Sequence, residues 1–568
     1  MHINIVPNRG SAPTVLLRES YRDAAKVGKR TLANLSALSS AQVEAIRQVL
    51  RGEAMCPVSQ RLEITASRAH GHVQAVSAAM QRLGFASLLS SKHCPERDLV
   101  LAMVASRIVC PDTKLATTRR WHTSTLAQDF GVAGASEDDL YAAMDWLLER
   151  QDAVQKKLAT RHLSAGSMVL YDLSSSYFEG CTCPLAHRGY SRDGKPGSPQ
   201  VNYGLLTDAR GCPVAISVFD GNTSDSKTFM PAVKRVREDF GISQVVMVGD
   251  RGMISQKAID ELRDSDGMGW ITALKSASIR ALVEQGQLQL GLFDERNLVE
   301  LISPDYPGER LVACRNEARA LLRAHKRTEL LAATEVKLTE IKQRVDDGKL
   351  VGKDNIGVRV GKIIDKYKMA KHFELNIAQA SLSWTRRQER IDGEAALDGL
   401  YIIRTSVSVQ EMDAPTCVRN YKSLAQVERA FRSLKTVDLK VRPIHHRSAN
   451  RVRAHLFLCM LAYYVEWHMR EVWRCLMFAD TEQILKATRD PVAPAKRSAS
   501  AQAKASTREL ADGTPVHSFA TLMADLSTIV RNTCRAPHVG TDAPSFELLT
   551  SATPAQQRAL DLINQIKL

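Results

Sequence analysis

Long apolar runs are missing from this sequence. The longest, Leu456 to Val465, is flanked by His455, Glu466 and His468. A bilayer span needs about 20 apolar residues, so this run reads as a buried core helix. The opening residues, MHINIVPNRG, hold no charged segment followed by an apolar stretch, so no secretory leader is expected. Disulfide spacing is missing too. Eleven cysteines, an odd number, are scattered from Cys56 to Cys534, which suits a reducing compartment. The nearest thing to a metal pattern is Cys181-Thr-Cys183 with His187; two reduced thiols in a loop is the expected reading. These absences together predict a cytoplasmic protein with no membrane span. Aromatics are only 5%, too few to favour a carbohydrate-cleaving site built on paired acids and stacking platforms. Acidic residues are outnumbered, 62 against 77 Lys plus Arg, for a net charge of +15. That balance points to a polyanionic partner, most economically nucleic acid, although a ribosome or membrane surface also fits it.

What is present is an ordinary globular composition, 44% hydrophobic and 24% charged over 568 residues, enough for two to four domains. Residues 1–60 mix a β-like stretch, Thr14 to Tyr21, with Lys26, Lys29 and Arg30. Residues 61–165 read as helices: His72–Leu83 and Asp98–Val109 repeat apolar residues at three and four, and Ser136 precedes a helix rich in first-turn acids. With Arg119, Arg120 and Arg161 interspersed, this region is expected to bind DNA. Residues 166–277 change texture. Ser167 to Asp172 reads as a strand ending in an acid, Val201–Thr207 and Cys212–Phe219 as a hairpin, and Ser224–Phe240 as a helix. Val245 to Asp250 reads as a second strand ending in an acid, Ser255–Arg263 as a helix and Trp270–Leu274 as a strand. The predicted fold class is therefore α/β, with a mixed-sheet core of the ribonuclease-H-like kind. Residues 278–397 break the alternation and read as an insertion domain. Inside it Leu331, Leu338 and Val345 form a stripe with Ile341, expected to pack on a neighbouring helix rather than to make a zipper. Residues 398–487 return to the core, through a strand at Gly399–Arg404, a helix capped by Ser423 with the spacing S-x-x-Q, and a longer helix from Ser448 to Met469. Residues 488–514 read as a flexible linker or loop and 515–568 as a C-terminal tail.

Two acids, Asp172 and Asp250, end two apolar strands. Adjacent strands lie about 4.8 Å apart, so neighbours would bring these carboxylates within a few ångströms. Carboxylates that close are most simply reconciled by a hard divalent cation, Mg²⁺ or Mn²⁺. A third acid, Glu428, shares a helical face with Arg432 and Lys435. Between 418 and 455, Lys and Arg outnumber Asp and Glu ten to two. One acid in such a stretch makes sense if the cations bind phosphates and the acid holds a metal beside them.

The spacing of Tyr421, Glu428 and Lys435 resembles the Y-x2-R-x3-E-x6-K signature of DDE transposases of bacterial insertion sequences, with Leu424 where the family has Arg. The segments Tyr-Asp172-Leu-Ser-Ser-Ser-Tyr-Phe-Glu and Val-Gly-Asp250-Arg-Gly look like that family's two aspartate motifs. Arg188-Gly-Tyr-Ser-Arg-Asp-Gly-Lys-Pro and Phe219-Asp-Gly-Asn-Thr-Ser-Asp also look familial.

The resemblance implies two-metal phosphoryl transfer. Asp172, Asp250 and Glu428 are the expected catalytic residues and ligands of two Mg²⁺ (or Mn²⁺) ions. Tyr421 and Lys435 are expected to position phosphates. Lys422, Arg429, Arg432, Arg251, His446 and Arg447 are further expected DNA contacts, with His445 beside them. Ser174, Ser175 and Ser176 are expected to bond backbone in a turn. Trp384, next to Arg386 and Arg387, is a candidate for stacking on an unpaired base. The implied partners are double-stranded DNA, both the element's terminal inverted repeats and its target, and a second copy of the chain as a homodimer on DNA. The implied setting is a nucleoid-associated cytoplasmic enzyme of cut-and-paste transposition. A nuclease without strand transfer and a DNA-binding remnant are the alternatives.

Overall fold

The computed structural model describes residues 1–23, 26–53, 62–289, 291, 293–484, 488–535 and 544–568. Residues 54–60 of the expected N-terminal segment lie outside these. The chain divides into two units, one of Met1–Arg68 with Arg531–Thr550 and one of Ala69–Val530 with Ser551–Leu568. In the first, β1 (His2–Val6), β2 (Thr14–Asp23) and β3 (Lys26–Asn34) form an antiparallel sheet. The β-like stretch at Thr14 is thus a strand. Helix Ser40–Leu50 follows, with a reciprocal Ser39–Gln42 cap. A second sheet joins β4 (Glu63–Ala69) to strands Val530–Arg535 and Phe546–Leu549, and Arg535 pairs with Glu63 at 2.7 Å. Part of the expected C-terminal tail is therefore sheet, because its unpaired strand edges find partners far away in sequence.

The second unit is built on an eight-stranded mixed sheet. Its strands are β5 (Ser167–Tyr177), β6 (Gln200–Thr207), β7 (Pro213–Asp220), β8 (Val245–Val248), β9 (Met268–Ala273), β10 (Leu298–Leu301) and β11 (Arg310–Arg315), with β14 (Leu400–Thr405) after the short pair β12 (Phe373–Ile377) and β13 (Leu382–Arg386). The spatial order is β10-β11-β14-β9-β8-β5-β6-β7. The β5–β8 and β8–β9 pairs are parallel and the rest antiparallel. Two strands from the stretch expected to leave the core at 278 pair into this sheet, so the departure comes only after Arg315.

Helices cover the sheet. Gly71–Arg82 and Pro95–Val109 form where the three-four periodicity places them, Glu137–Glu149 follows the Ser136 cap, and Gln151–His162 adds a further helix. Ser136 caps its helix through a reciprocal box with Asp139. The longest run of apolar residues lies in helix Ala449–Val472, buried from Ala454 through Met469. A helix apolar all round is stable only when surrounded, and no helix among the described residues is long and apolar enough to cross a membrane.

From Glu317 to Ala395 the chain builds its own small cores. Helix Glu317–Asp346 lays Leu338, Ile341 and Val345 against Ile356, Val360 and Ile364 of helix Lys353–Tyr367, and Leu331 packs beside Phe373 and Ile391. The heptad stripe is satisfied inside the chain. The expected linker at 488–514 contains a helix, Ala499–Thr507, capped by Ser498. Lys504 is buried there and donates to the carbonyls of Arg474, Met477 and Ala479, each at 3.2 Å. Composition suggested flexibility, but these three acceptors at the end of the preceding helical segment give the ammonium a fixed seat.

Leu338→Ala should lower stability by about 2–5 kcal/mol through the cavity it leaves, read by urea denaturation. It should leave the oligomeric state in sedimentation unchanged; dissociation of an assembly by this substitution would assign the stripe to a zipper instead.

Candidate active site

Strand register determines where the first two acids go. In the parallel β5–β8 pair, Leu170 is opposite Val248. Asp172 and Asp250 each lie two residues past that pair, so they share a sheet face at neighbouring positions. Asp172 does not end its strand, as the sequence suggested. β5 continues to Tyr177 because β6 goes on pairing with it on the other side, Asp172 opposite Leu205. What ends near Asp172 is its neighbour β8, and this opens the carboxyl to the Asp250 loop. The serines at 174–176 are correspondingly strand residues, not a turn. Ser175 Oγ accepts from the Arg192 N–H at 3.1 Å, and Ser176 Oγ lies 2.9 Å from the Tyr203 hydroxyl.

The third acid reaches the same face through packing. Tyr203 is opposite Ser174 and therefore on the Asp172 side of the sheet. The Phe431 ring stands 5.7 Å from the Tyr203 ring, edge to face, which lays helix Leu424–Arg432 over β5 and β6. Val427, Ala430 and Phe431 are its buried face, and Glu428 is exposed beside them. Ser423 is not the expected N-cap. Helix Ala414–Lys422 already begins at Asp413, so Ser423 has helical backbone angles and its hydroxyl donates to Arg419 O at 3.1 Å. After Arg432 the helix widens into a π turn, Ser433–Val437. A buried network anchors that turn: Ser433 Oγ donates to Glu466 Oε1 at 2.6 Å, and Arg470 bridges Glu466 and Asp438 at 2.5 and 2.7 Å.

Asp250 and Glu428 both act on Asp172. The Asp172 carboxyl is raised from 3.8 to about 7, first by burial and then by Asp250 and Glu428, against the Leu173 N–H and the Arg192 guanidinium. The three carboxylates do not all lie within 4.8 Å of one another, but oxygen donors of this kind around one desolvated acid are a set suited to a hard divalent cation. Tyr421 donates its hydroxyl to Asp250 Oδ1 at 3.2 Å, and Arg251 is exposed nearby.

The expected DNA contacts separate into two groups. Arg429, Arg432 and Arg447 are exposed, and Arg429 and Arg432 line one cleft with Arg210, Arg470 and Arg474. Three others are already committed. Lys435 Nζ donates to Asp193 Oδ1 at 2.9 Å, and Arg442 pairs with the same oxygen. Lys422 donates to the Pro491 carbonyl. His446 packs edge-on against Tyr141 and 4.9 Å from His455, and burial pushes its pKa down to about 3, so it is a neutral packed ring. Exposed His445 lies 3.9 Å from Glu179. Trp384 is half-buried against both cores of the insertion, and its neighbour Arg386 pairs with Glu335.

Sequence reasoning missed Arg192, Asp193 and Asp225. Arg192 faces Asp225 at 2.5 Å and Asp172 electrostatically. Asp193, fully buried, also accepts from the Tyr177 N–H at 3.0 Å. The signal was in the segment Arg188 to Pro196, noticed as a motif but given no role. Cys181 is exposed and Cys183 buried, and they form no three-residue metal cluster with His187 among the described residues.

Two outcomes follow from these charges. Asp193→Ala strands Lys435 and Arg442 and should cost about 3–5 kcal/mol in urea denaturation. Between pH 4 and 7 the folded chain holds a proton on Asp172 that the unfolded chain releases, a contribution to stability that fades as pH rises through that window, as does that of buried Glu466, also raised to about 7. The histidines His72, His446 and His468, lowered by burial to about 4, 3 and 3, contribute with the opposite sign, so in the metal-free protein Asp172→Asn should make the slope of stability against pH more positive than in the unmodified chain. A slope unchanged in the variant would show that Asp172 ionises normally.

Comparison with known proteins follows this geometry. The model of the transposase DDE domain matches residues 175–465, just over half of the chain. The model of the IS1634 family transposase N-terminal domain matches residues 3–56. No curated protein matches the sequence. Among solved structures, a cryo-EM structure of the piggyBac transposase synaptic complex with hairpin DNA is similar at 9% identity and a TM-score of 0.34, covering 80% of this chain and 77% of that one; a likeness this distant carries no argument. The family matches, unlike that likeness, take in Asp250, Glu428 and the N-terminal sheet, with Asp172 just before the first position matched by the DDE domain, and the chain belongs to the DDE-domain transposases of insertion sequences.

Proposed function

We propose that this transposase cuts the ends of its element and joins them to target DNA at the Asp172–Asp250–Glu428 site. The observation that carries the reading is that Asp250 and Glu428, remote in sequence, both lie near enough to Asp172 to act on its carboxyl. The core is read as ribonuclease-H-like on the order β7-β6-β5-β8-β9, in which three antiparallel strands are followed by two parallel ones. Asp172, Asp250 and Glu428 would hold two Mg²⁺ or Mn²⁺ ions. Bound there, such ions supply an activated oxygen nucleophile and stabilise the leaving oxygen.

The protein's own groups do the rest. The Tyr421 hydroxyl orients Asp250. Arg192 restrains the rise of the Asp172 pKa, which favours the ionised ligand. Exposed Arg251, Arg429, Arg432 and Arg447 neutralise phosphates and set the DNA backbone against the acids. Lys435 works through Asp193, holding the segment after Ser176 beside the Glu428 helix, and Lys422 ties that helix's entry to Pro491. Trp384 is the candidate for stacking on an exposed base at the cut end, and two ends held together call for two copies of the chain on double-stranded DNA.

Asp172→Asn, Asp250→Asn and Glu428→Gln should each still shift inverted-repeat DNA on a gel. Each should cleave it at least ~100-fold more slowly in Mg²⁺. Supplying pre-cleaved ends should yield joined product from the unmodified chain; cutting without joining would reduce the activity to that of a nuclease. Equal cutting by the unmodified chain and all three variants would remove these acids from the chemistry.

A further inference from the structure

Three residues far apart in sequence converge at the end of the sheet that β7 borders. His162 is the last residue of helix Gln151–His162, Cys212 lies in the hairpin turn just before β7, and His468 lies in helix Ala449–Val472. Cys212 Sγ is 4.0 Å from His162 Nε2 and 3.8 Å from His468 Nε2. All three ligand atoms lie within 4.8 Å of one another, and this is the one such group of three or more found among the described residues. Cys212 is fully buried, His468 is 6% exposed and His162 is half-buried.

The rings are held in place by their neighbours. His468 stands edge-on to Tyr464 at 4.8 Å and to Trp467 at 4.9 Å, and His162 stands edge-on to Tyr464 at 5.5 Å. The Tyr464 hydroxyl is 3.0 Å from His162 Nε2. A thiol is a weak hydrogen-bonding partner, so His468 Nε2 gains little from Cys212, while His162 Nε2 is shared between that sulfur and the Tyr464 hydroxyl. A tetrahedral zinc ion, with bonds of about 2.3 Å to sulfur and about 2.0–2.1 Å to nitrogen, separates its sulfur and nitrogen ligands by about 3.6 Å. The observed spacings come within a few tenths of an ångström of that value. The mixed nitrogen and sulfur donors suit zinc and not the hard cations expected at the carboxylates.

We propose that His162, Cys212 and His468 form a structural zinc site, its fourth position filled by solvent beside the Tyr464 hydroxyl. The ion joins a helix end, the β6–β7 hairpin and the long central helix, three elements with no covalent link nearby. Its effect is on stability and metal content, and it stands apart from the DNA chemistry.

The test uses the full chain carrying Asp172→Asn and Asp250→Asn, so that the carboxylates contribute no metal. After loading with zinc and gel filtration, elemental analysis should give about one zinc per chain. Cys212→Ser and His468→Gln should each hold about tenfold less or lower, with a reduced Tm, while Cys183→Ser keeps its metal. Cobalt(II) in place of zinc should give a thiolate-to-metal charge-transfer band that Cys212→Ser abolishes. A parent chain without zinc after loading, or a Cys212→Ser, His468→Gln double variant that retains it, overturns the proposal. Should those variants not fold, the cobalt spectrum of the folded parent decides, and absence of a thiolate band overturns it equally.

Discussion

The convergence of Asp250 and Glu428 on Asp172 is the constraint around which this face of the eight-stranded sheet is organised. Burial carries the Asp172 pKa to about 7, and the charges of Asp250 and Glu428 add to the rise. Left alone, such an arrangement would relax by moving one acid away. It does not, because each acid is held by a different part of the backbone. The parallel pairing of Leu170 with Val248 places Asp172 and Asp250 together. The contact of Phe431 with Tyr203 keeps the Glu428 helix down on the same face. A hard divalent cation would offset the cost of such proximity.

The basic residues around the acids divide by burial. Lys435 and Arg442 share buried Asp193, and Arg470 shares Asp438 and Glu466. Such pairs tolerate burial only when their hydrogen bonds are satisfied, and here they join the π turn to the rest of the core. The exposed arginines, Arg251, Arg429, Arg432 and Arg447, stay in water and are available to phosphate. A stretch that reads as one basic patch is thus partly structural cement and partly exposed surface.

Much of this was legible in the residues. Alternation and apolar runs marked β5, β6, β7, β8 and β9 to within a few residues, and the Ser136 cap was read with its helix. The two aspartates and Glu428 were singled out by chemistry and spacing. Errors arose where a partner distant in sequence decides local structure. Asp172 looked like a strand end until β6 was seen to continue the pairing. Ser423 looked like a cap until the preceding helix, started by Asp413, ran into it. Residues 499–507 looked like linker until Lys504 found its three carbonyls. Lys435 looked like a free phosphate ligand until Asp193 was seen opposite it.

By itself the sequence determined the periodicities, the Ser136 cap and the charge surplus, since these depend on neighbours a few residues away or on composition, and it singled out the three acids as candidates. Only the tertiary structure decided which strands adjoin, which face each acid takes, and which cations are spent on buried partners. The meeting of His162, Cys212 and His468 belongs to that second group. No local pattern encodes it, because its geometry exists only once a helix end, a hairpin and the central helix have packed together.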